Sequence, residues 1–380
     1  MTSGNGTKKR SLVVIQLSGG NDALNTIVPY NDGLYYDSRR SIRIEPDKVL
    51  KIDDRFGFNP SMAPLKDLWD EGEVAIINGV GYPKPDRSHF RSMDIWHTAE
   101  PTKIGHDGWL GRALRDLDPK GENVLTGINF GRGLPRALSC QGVPVASVGG
   151  DLANYGLFPE KQDEQLRQYA LQCFSEMYGG VDGRDAVMSF LGQTGSNALR
   201  GADILKTAPS KYSSTVEYAA DPLAQSLKAV AQVMFADFGT QVYYTQQGSY
   251  DTHADQMNVH TKATSQAAAA IRDFMDDLKE HGREEEAIIL AFSEFGRRVK
   301  DNGNGTDHGS GGVAFIIGGQ VNGGTYAEYP SLRLEDQLEG DLQFNNDFRS
   351  TYATILDRWL GLDSKAILNG SFEQFDFVQK

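Results

Sequence analysis

Two buried-strand patterns joined by a polar, glycine-rich loop constrain the fold of this chain more than any other feature. Ala287–Phe292 and Val313–Ile317 are uninterrupted apolar runs, which are typical of strands covered on both faces in α/β proteins. Glu294 follows the first run, and Asp307 and His308 precede the second. Chemistry in open α/β sheets gathers where strands end and loops begin. We therefore expect folding to bring this carboxylate and the Asp-His pair together.

Other apolar runs alternate with helical patterns along the chain. Further strands are predicted at Ser11–Leu17, Val74–Asn78 and Gln241–Thr245. Apolar residues at helical spacing predict helices over Met62–Glu73, Asp86–Thr98, Asp163–Met177, Pro222–Phe238, His260–Lys279 and Asp347–Leu360. This alternation favours an α/β fold, a three-layer α/β/α sandwich with a mainly parallel central sheet. We predict a disordered extension at residues 1–10 and a single domain over residues 11–380.

Composition restricts the classes of partner. The 380 residues carry a formal net charge of -13, which disfavours binding to nucleic acid or to anionic membranes. No apolar run approaches the ~20 residues that span a bilayer. Met1–Arg10 is polar and basic and lacks the apolar region of a signal peptide, so we expect a periplasmic or secreted protein if an export signal was removed, and a cytoplasmic one otherwise. Cys140 and Cys173 lack CxxC spacing, which indicates neither a disulfide framework nor a thiolate metal site.

Residue types that bind metals or act as nucleophiles stand beside the predicted strands. They are Asp22, Ser88 with His89, Asp251 with His253, Glu294 and His308. Oxygen and imidazole donors without thiolates suit Zn, Mn, Mg or Ca at a hydrolytic site. One or two such divalent cations would bind a phosphate or sulfate ester and polarise it. The pattern therefore predicts a small anionic ester as the substrate.

Most of these residues also have a structural interpretation. Asp22 and Ser88 both suit helix caps, and Glu294 could form a surface ion pair with Arg297 or Arg298, which would contribute little. The remaining histidines are interpreted as surface or core residues: His97, His106, His260 and His281. The order acid, serine, Asp/His, acid, His, each beside a strand, favours a shared site over separate structural roles.

Several longer motifs identify a resemblance. They are LSGGNDALNTIVP (Leu17–Pro29), the segment Phe56–Ala99, GWLGRAL (Gly108–Leu114), YDTHADQ (Tyr250–Gln256), FSEFGRRV (Phe292–Val299), DHGSGG (Asp307–Gly312) and DFRSTYATILDRWLGLD (Asp347–Asp363). With these motifs, which span nearly the whole chain, the sequence resembles the bacterial family labelled domain of unknown function 1501. Members of that family commonly carry a twin-arginine export signal. The family is more remotely similar to the alkaline phosphatase and sulfatase superfamily.

The resemblance implies an alkaline phosphatase-like domain and a metal-dependent hydrolase of phosphate or sulfate esters. The metal ligands that it implies are Asp22, Asp251, His253, Glu294 and His308. Ser88 would be the nucleophile, and His89, Arg91 or Arg297 would steady the ester oxygens.

The chain also departs from the superfamily pattern. Glu294-Phe295-Gly296 stands where the superfamily has Asp-His-Gly, and the segment from Ser88 to Arg91 lacks the proline of the sulfatase C/S-x-P-x-R motif. A formylglycine sulfatase is therefore disfavoured, and a site with one metal is as compatible as a site with two. The alternative is a non-catalytic binding or scaffolding protein on the same fold, which needs no bound metal.

Overall fold

The computed structural model describes residues 10–150, 152, 164–179 and 186–379. Apart from Arg10, the extension predicted at residues 1–10 lies outside the described residues. The strands are β1 (Ser11–Leu17), β2 (Ile27–Val28), β3 (Leu50–Lys51), β4 (Gly57–Phe58), β5 (Val74–Gly81), β6 (Gly127–Phe130), β7 (Ala146–Val148), β8 (Val242–Gln247), β9 (Ala287–Phe292), β10 (Gly312–Ile317), β11 (Gly324–Tyr326) and β12 (Asn346–Asp347).

Helices occupy both faces of the sheet that most of these strands form. They are α1 (Ala23–Thr26), α2 (Gly33–Ser38), α3 (Ala63–Asp70), α4 (His89–Thr98), α5 (Trp109–Leu117), α6 (Glu164–Gly179), α7 (Ala186–Leu205), α8 (Pro222–Phe235), α9 (Gln256–Glu280), α10 (Phe348–Thr354) and α11 (Ser364–Leu368). A π-helical turn, Ile355–Leu360, continues α10. None of the helices in the described ranges has the length and apolar character needed to cross a membrane.

The central sheet is mixed but mostly parallel. Its order is β11-β5-β10-β9-β1-β8-β6-β7, with β12 also beside β5. Strand β10 runs antiparallel to both of its neighbours, and the other pairings are parallel. All five predicted strands lie in this sheet, so the predicted fold class is confirmed. A small antiparallel sheet, β2-β4-β3, lies apart from it.

Alternate side chains of the central strands enter two separate cores. In β1, Val13 and Ile15 pack into one core, whereas Leu12 and Val14 pack into the other. This follows from the period-two geometry of a strand, and it explains why Leu12–Ile15 is a continuous apolar run. Helices α3, α8 and α9 cover the first core, and α4, α5, α10 and α11 cover the second. The result is a three-layer sandwich.

Helix boundaries differ from the predicted ones by about a turn. The helix predicted from Asp86 begins at His89, and the helix predicted from His260 begins earlier, at Gln256. The sequence patterns indicated no helix at α7. These shifts matter at α4, because they place His89 in its first turn and next to the sheet.

Strand direction explains where loops with polar side chains meet. Strands β1, β8 and β9 are parallel neighbours, so their carboxyl ends lie at one edge of the sheet. Strand β10 is antiparallel to β9, so the loop that precedes it reaches the same edge. The segments after β1, β8 and β9 and the segment before β10 therefore converge.

Candidate metal centre and adjoining cavity

Four side chains at this edge form a compact group, here called the His-Asp cluster: His89, Asp251, His253 and His308. His89, Asp251 and His308 each offer one ligand atom, and these atoms lie within 4.8 Å of one another. His253 Nε2 lies 3.0 Å from His308 Nε2 and 3.1 Å from Asp251 Oδ1. His308 Nε2 lies 3.0 Å from Asp251 Oδ1. The cluster therefore presents three imidazole nitrogens around one carboxylate.

Each imidazole is anchored at its other nitrogen. His89 Nδ1 lies 2.8 Å from a Glu294 oxygen, and His253 Nδ1 lies 3.0 Å from an Asp307 oxygen. His308 Nδ1 lies 2.8 Å from the carbonyl oxygen of Arg87. A carbonyl oxygen only accepts hydrogen bonds, so His308 Nδ1 carries the proton and Nε2 carries the lone pair. Oxygens that hold Nδ1–H in this way fix the tautomer of metal-binding histidines.

The cluster fits a cation. His89 Nε2 is buried and has no hydrogen-bond partner within the described ranges, and His253 and His308 direct their Nε2 atoms at each other. Two lone pairs at that separation repel unless a positive charge lies between them. Ligand atoms of a tetrahedral zinc ion with bonds near 2.0–2.1 Å are about 3.3 Å apart. The separation from His89 Nε2 to Asp251 Oδ2, 3.4 Å, and those given above agree with that spacing.

Neighbouring charges and hydrogen bonds shift the pKa values of two of the donors, His89 and Asp251. The hydrogen bond with Glu294 raises the pKa of His89 against the effect of partial burial, and this makes its Nε2 a stronger ligand. Burial alone would raise the pKa of Asp251, but the hydrogen bond from Arg297 and its positive charge lower this pKa below its ordinary value. Asp251 is therefore a carboxylate at neutral pH.

Glu294 was predicted as a metal ligand, and the structure places it behind His89 instead. Its side chain is 3% exposed, and Oε1 accepts hydrogen bonds from His89 and from the Gly19 backbone N–H at 2.8 Å. Oε2 accepts a hydrogen bond from Ser293. Glu294 thus orients a donor of the cluster.

Gly19 allows the loops after β1 and β8 to approach. Its φ is +123°, and a Cβ atom there would lie 2.3 Å from the backbone nitrogen of Asp251. Any other residue would separate these loops. The Gly19 N–H would then lose its hydrogen bond to Glu294.

Arg297 has a structural role and does not face the cavity. It is fully buried and donates hydrogen bonds to the carbonyls of Gly20, Tyr250 and Thr306. It also donates to Asp251 Oδ1 at 2.7 Å. Arg297 therefore joins three loops and positions Asp251, so the prediction that it steadies ester oxygens is replaced.

Asp22 does not join the cluster. It is fully buried, and both of its carboxylate oxygens accept hydrogen bonds from the guanidinium group of Arg39. Burial alone would raise its pKa, but the charge of Arg39 outweighs this effect and lowers it. Gln256 donates to the same carboxylate, and Leu24 N–H makes the cap bond of α1. The cap interpretation thus describes Asp22 better than the ligand prediction.

Ser88 and Arg91 lie before and after His89 at the start of α4. Ser88 is exposed and occupies the N-cap position, yet its hydroxyl makes no cap bond. Arg91 contacts Asp94 and the carbonyls of residues 100, 101 and 103, so it is directed away from the cluster. Of the residues predicted to steady ester oxygens, His89 alone lies in the cluster.

A cavity of about 510 Å³ opens beside the cluster. His89, Asp251 and Glu294 are among the residues that line it. One face of α4 forms a wall, with the side chains of Phe90, Met93, Asp94 and His97, and Arg136, Gln16 and Ser18 complete the lining. The sequence interpretation missed these residues, although their spacing in α4 gives that helix a second face beside its core face. Such a volume lies within the range of small-molecule sites.

The comparisons with known proteins are consistent with the family resemblance. The profile of the family described as "Protein of unknown function (DUF1501)" matches residues 161–370. No curated protein matches the chain.

Several solved structures are similar at low identity. A sulfatase from Pseudoalteromonas sp. has a TM-score of 0.40 at 13% identity, covering 97% of this chain and 71% of its own. The phosphonate monoester hydrolase of Silicibacter pomeroyi has a TM-score of 0.41 at 11% identity, covering 96% and 76%. The C-terminal periplasmic domain of EcEptC from Escherichia coli, in a complex with zinc, has a TM-score of 0.39 at 9% identity, covering 83% and 74%.

Proposed function

We propose that the chain, which belongs to the DUF1501 family of proteins of unknown function, is a metal-dependent hydrolase of phosphate or sulfate esters. The observation that carries this proposal is the convergence of three anchored imidazoles on Asp251. His89, His253 and His308 hold their Nδ1 atoms on oxygens and direct their Nε2 atoms toward Asp251 or toward one another.

The four side chains of the His-Asp cluster would hold one divalent cation. Nitrogen and oxygen donors without thiolates suit zinc or manganese. A bound cation would supply Lewis-acid polarisation of an ester oxygen. Among the described residues, His89, Asp251 and His308 are the one group of at least three donors close enough for a metal, and His253 lies beside them. A single such group favours one ion over the pair that was also considered.

The cavity would hold the rest of the substrate. Phe90 and Met93 offer apolar contact for the alcohol part of the ester, while the cluster holds its phosphate or sulfate group. Arg136 also lines the cavity, where it pairs with Asp94. Because Asp251 and Glu294 line the cavity as well, the positive charge that attracts an anion to this acidic chain would come mainly from the bound cation.

Ser88 is the proposed nucleophile. It lies between Arg87, whose carbonyl holds His308, and His89, and its hydroxyl is not used for capping. Attack would form a bond from Ser88 Oγ to phosphorus or sulfur and break the bond to the alcohol oxygen. The serine proton would leave with the released alcohol, and water would then hydrolyse the serine ester.

Metal analysis followed by an ester screen tests the proposal. Purified protein is expected to bind about one equivalent of zinc or manganese and to hydrolyse at least one phosphate monoester, diester or sulfate ester. Replacing Asp251 or His308 with alanine should abolish both properties. The exposed His106 provides a matched histidine control, since His106→Ala should change neither.

Two results would contradict the proposal in different ways. Wild-type protein that binds no divalent metal at micromolar concentration would exclude the metal centre. Metal binding without turnover of any ester would instead favour the non-catalytic binding protein.

A further inference from the structure

A second polar group lines the cavity and has no part in the metal centre. It consists of Gln16, Ser18, His97 and Tyr244, here called the Gln16 relay. Gln16, Ser18 and His97 line the cavity together with His89, Asp251 and Glu294, and the buried Tyr244 lies behind them. The relay connects the end of β1, strand β8 and helix α4.

The contacts of Gln16 fix which way its amide faces. Its Oε1 accepts a hydrogen bond from the Tyr244 hydroxyl and lies 2.9 Å from His97 Nε2. Burial lowers the pKa of His97 to about 4, so the imidazole is neutral and donates through Nε2 to this oxygen. The amide nitrogen of Gln16 is thereby left to face Ser18.

The direction of the Ser18 hydroxyl follows from that arrangement. Gln16 Nε2 only donates hydrogen bonds, so at 2.7 Å from Ser18 Oγ it occupies an acceptor position of the hydroxyl. The backbone of Ser18 is held by Gln247 O and Tyr250 N–H. Within the described part of the chain no hydrogen bond takes the Ser18 proton. This proton is therefore free to point into the cavity.

Burying polar side chains such as those of the Gln16 relay costs free energy unless their hydrogen bonds are satisfied. Gln16 is 6% exposed and Tyr244 is 1% exposed, and both lie in strands of the central sheet. Buried polar groups that are fully satisfied rigidify and specify a site. Here the satisfied groups end in one hydroxyl whose donor faces the space beside the metal centre.

We propose that Ser18 is a further catalytic residue, whose hydroxyl donates a hydrogen bond to a non-bridging oxygen of the phosphate or sulfate ester. Gln16 is the positioning residue that sets the direction of this donor. The inference rests on the proposed function, because the ester lies against Ser18 only if the His-Asp cluster binds it. Donors fixed in advance toward developing negative charge are a large source of catalysis.

Two substitutions separate this role from a structural one. Ser18→Ala removes the donor, and we expect kcat/KM for the best ester to fall about 10²-fold with unchanged zinc content. Gln16→Glu keeps the shape but offers Ser18 an acceptor in place of a donor. The Ser18 proton would then turn toward residue 16, and kcat/KM should fall to a similar extent although Ser18 is intact.

The matched control is Gln246→Glu. Gln246 is the register partner of Gln16 on β8, is exposed and does not line the cavity. It introduces the same charge on the neighbouring strand, and we expect kcat/KM to stay within twofold of wild type. A purely electrostatic effect of the new carboxylate would instead lower kcat/KM in both the Gln16→Glu and the Gln246→Glu variants.

A binding measurement distinguishes failure of the inference from failure of the proposed function. Titration calorimetry of inorganic phosphate into the zinc-loaded proteins should show about tenfold weaker binding for Ser18→Ala and for Gln16→Glu. If the wild type hydrolyses no ester but this difference in phosphate affinity is found, Ser18 contacts the anion and the hydrolase proposal fails. Phosphate affinity and kcat/KM within twofold of wild type in Ser18→Ala would overturn the inference, as would absence of phosphate binding by the wild type.

Discussion

Glu294 accepts a hydrogen bond from His89 Nδ1 at 2.8 Å across 205 positions of sequence. The contact joins the end of β9 to the first turn of α4, and it forms only when the start of the helix lies beside the end of this strand. Its consequence is the orientation of His89 Nε2, which is buried and has no hydrogen-bond partner within the described ranges. A carboxylate therefore acts on the proposed metal through a histidine.

The first prediction concerns this indirect role. Glu294→Gln should weaken zinc binding by about 10- to 100-fold, the usual effect of removing an anchor behind a metal ligand. The measurement is competition with a chelator of known affinity. Glu328→Gln, at an exposed position, should leave zinc affinity unchanged. An affinity that Glu294→Gln leaves within twofold would show that the anchor is dispensable.

The buried pair of Asp22 and Arg39 leads to the second prediction. Both side chains are 0% exposed, so removing one charge strands the other in the interior. Asp22→Asn should lower the free energy of unfolding by about 3–5 kcal/mol and leave zinc affinity within threefold. Chemical denaturation and the chelator competition measure the two effects. A large loss of zinc affinity in a folded Asp22→Asn protein would restore Asp22 as a ligand.

The third prediction is a pH dependence of stability that arises from His260. Burial lowers its pKa to about 4, against the opposing charge of Asp22 and with the help of Arg39 and Arg297. The unfolded chain takes up this proton near pH 6.5, whereas the native protein does not. The contribution of His260 to the free energy of unfolding is therefore complete above about pH 6.5. It falls toward pH 4 by at most about 1.4 kcal/mol per pH unit.

The test compares urea unfolding at pH 7.5, 6.5 and 5.5 in the presence of a chelator, so that metal binding does not contribute. His260→Gln should flatten the dependence on pH, because the titrating group is gone. His97, whose pKa is also lowered to about 4 by burial, keeps some of the slope in both proteins. Equal slopes for wild type and His260→Gln would contradict the prediction.

The fourth prediction concerns Phe90, which is 92% exposed and lines the cavity. If it contacts the alcohol part of the substrate, Phe90→Ala should raise KM about tenfold for esters with a large apolar alcohol. For methyl phosphate or methyl sulfate the kinetics should not change. Leu334, 79% exposed and outside the cavity lining, gives the matched control Leu334→Ala. Equal effects on large and small esters would exclude the contact.

The sequence predicted the sheet well and the site less completely, for a physical reason. Strands β1 and β9 have the predicted bounds, because polar residues end their apolar runs on both sides. The meeting of Asp251 with His308 could be expected, since both stand at the ends of buried strands.

The roles of the acidic residues could not be read from the sequence. A carboxylate beside a strand suits a ligand, a cap or an anchor equally, and the choice depends on its partner in space. Arg39 decides the role of Asp22, and His89 decides that of Glu294. His97 was interpreted as a surface or core histidine. The sequence could not show that it lies beside the cavity, because its contacts with Gln16 and Tyr244 join segments far apart in the chain.

The last prediction concerns Ser88. Its hydroxyl makes no cap bond, so Ser88→Ala should change the free energy of unfolding by no more than about 0.5 kcal/mol, as for an ordinary surface substitution. If Ser88 attacks the ester, the same change should lower turnover about 10³-fold or more without loss of zinc. Ser331→Ala, at an exposed serine, is the control and should retain full activity. Turnover that survives within a few-fold in folded, zinc-loaded Ser88→Ala protein would exclude the nucleophile role and leave water as the attacking group.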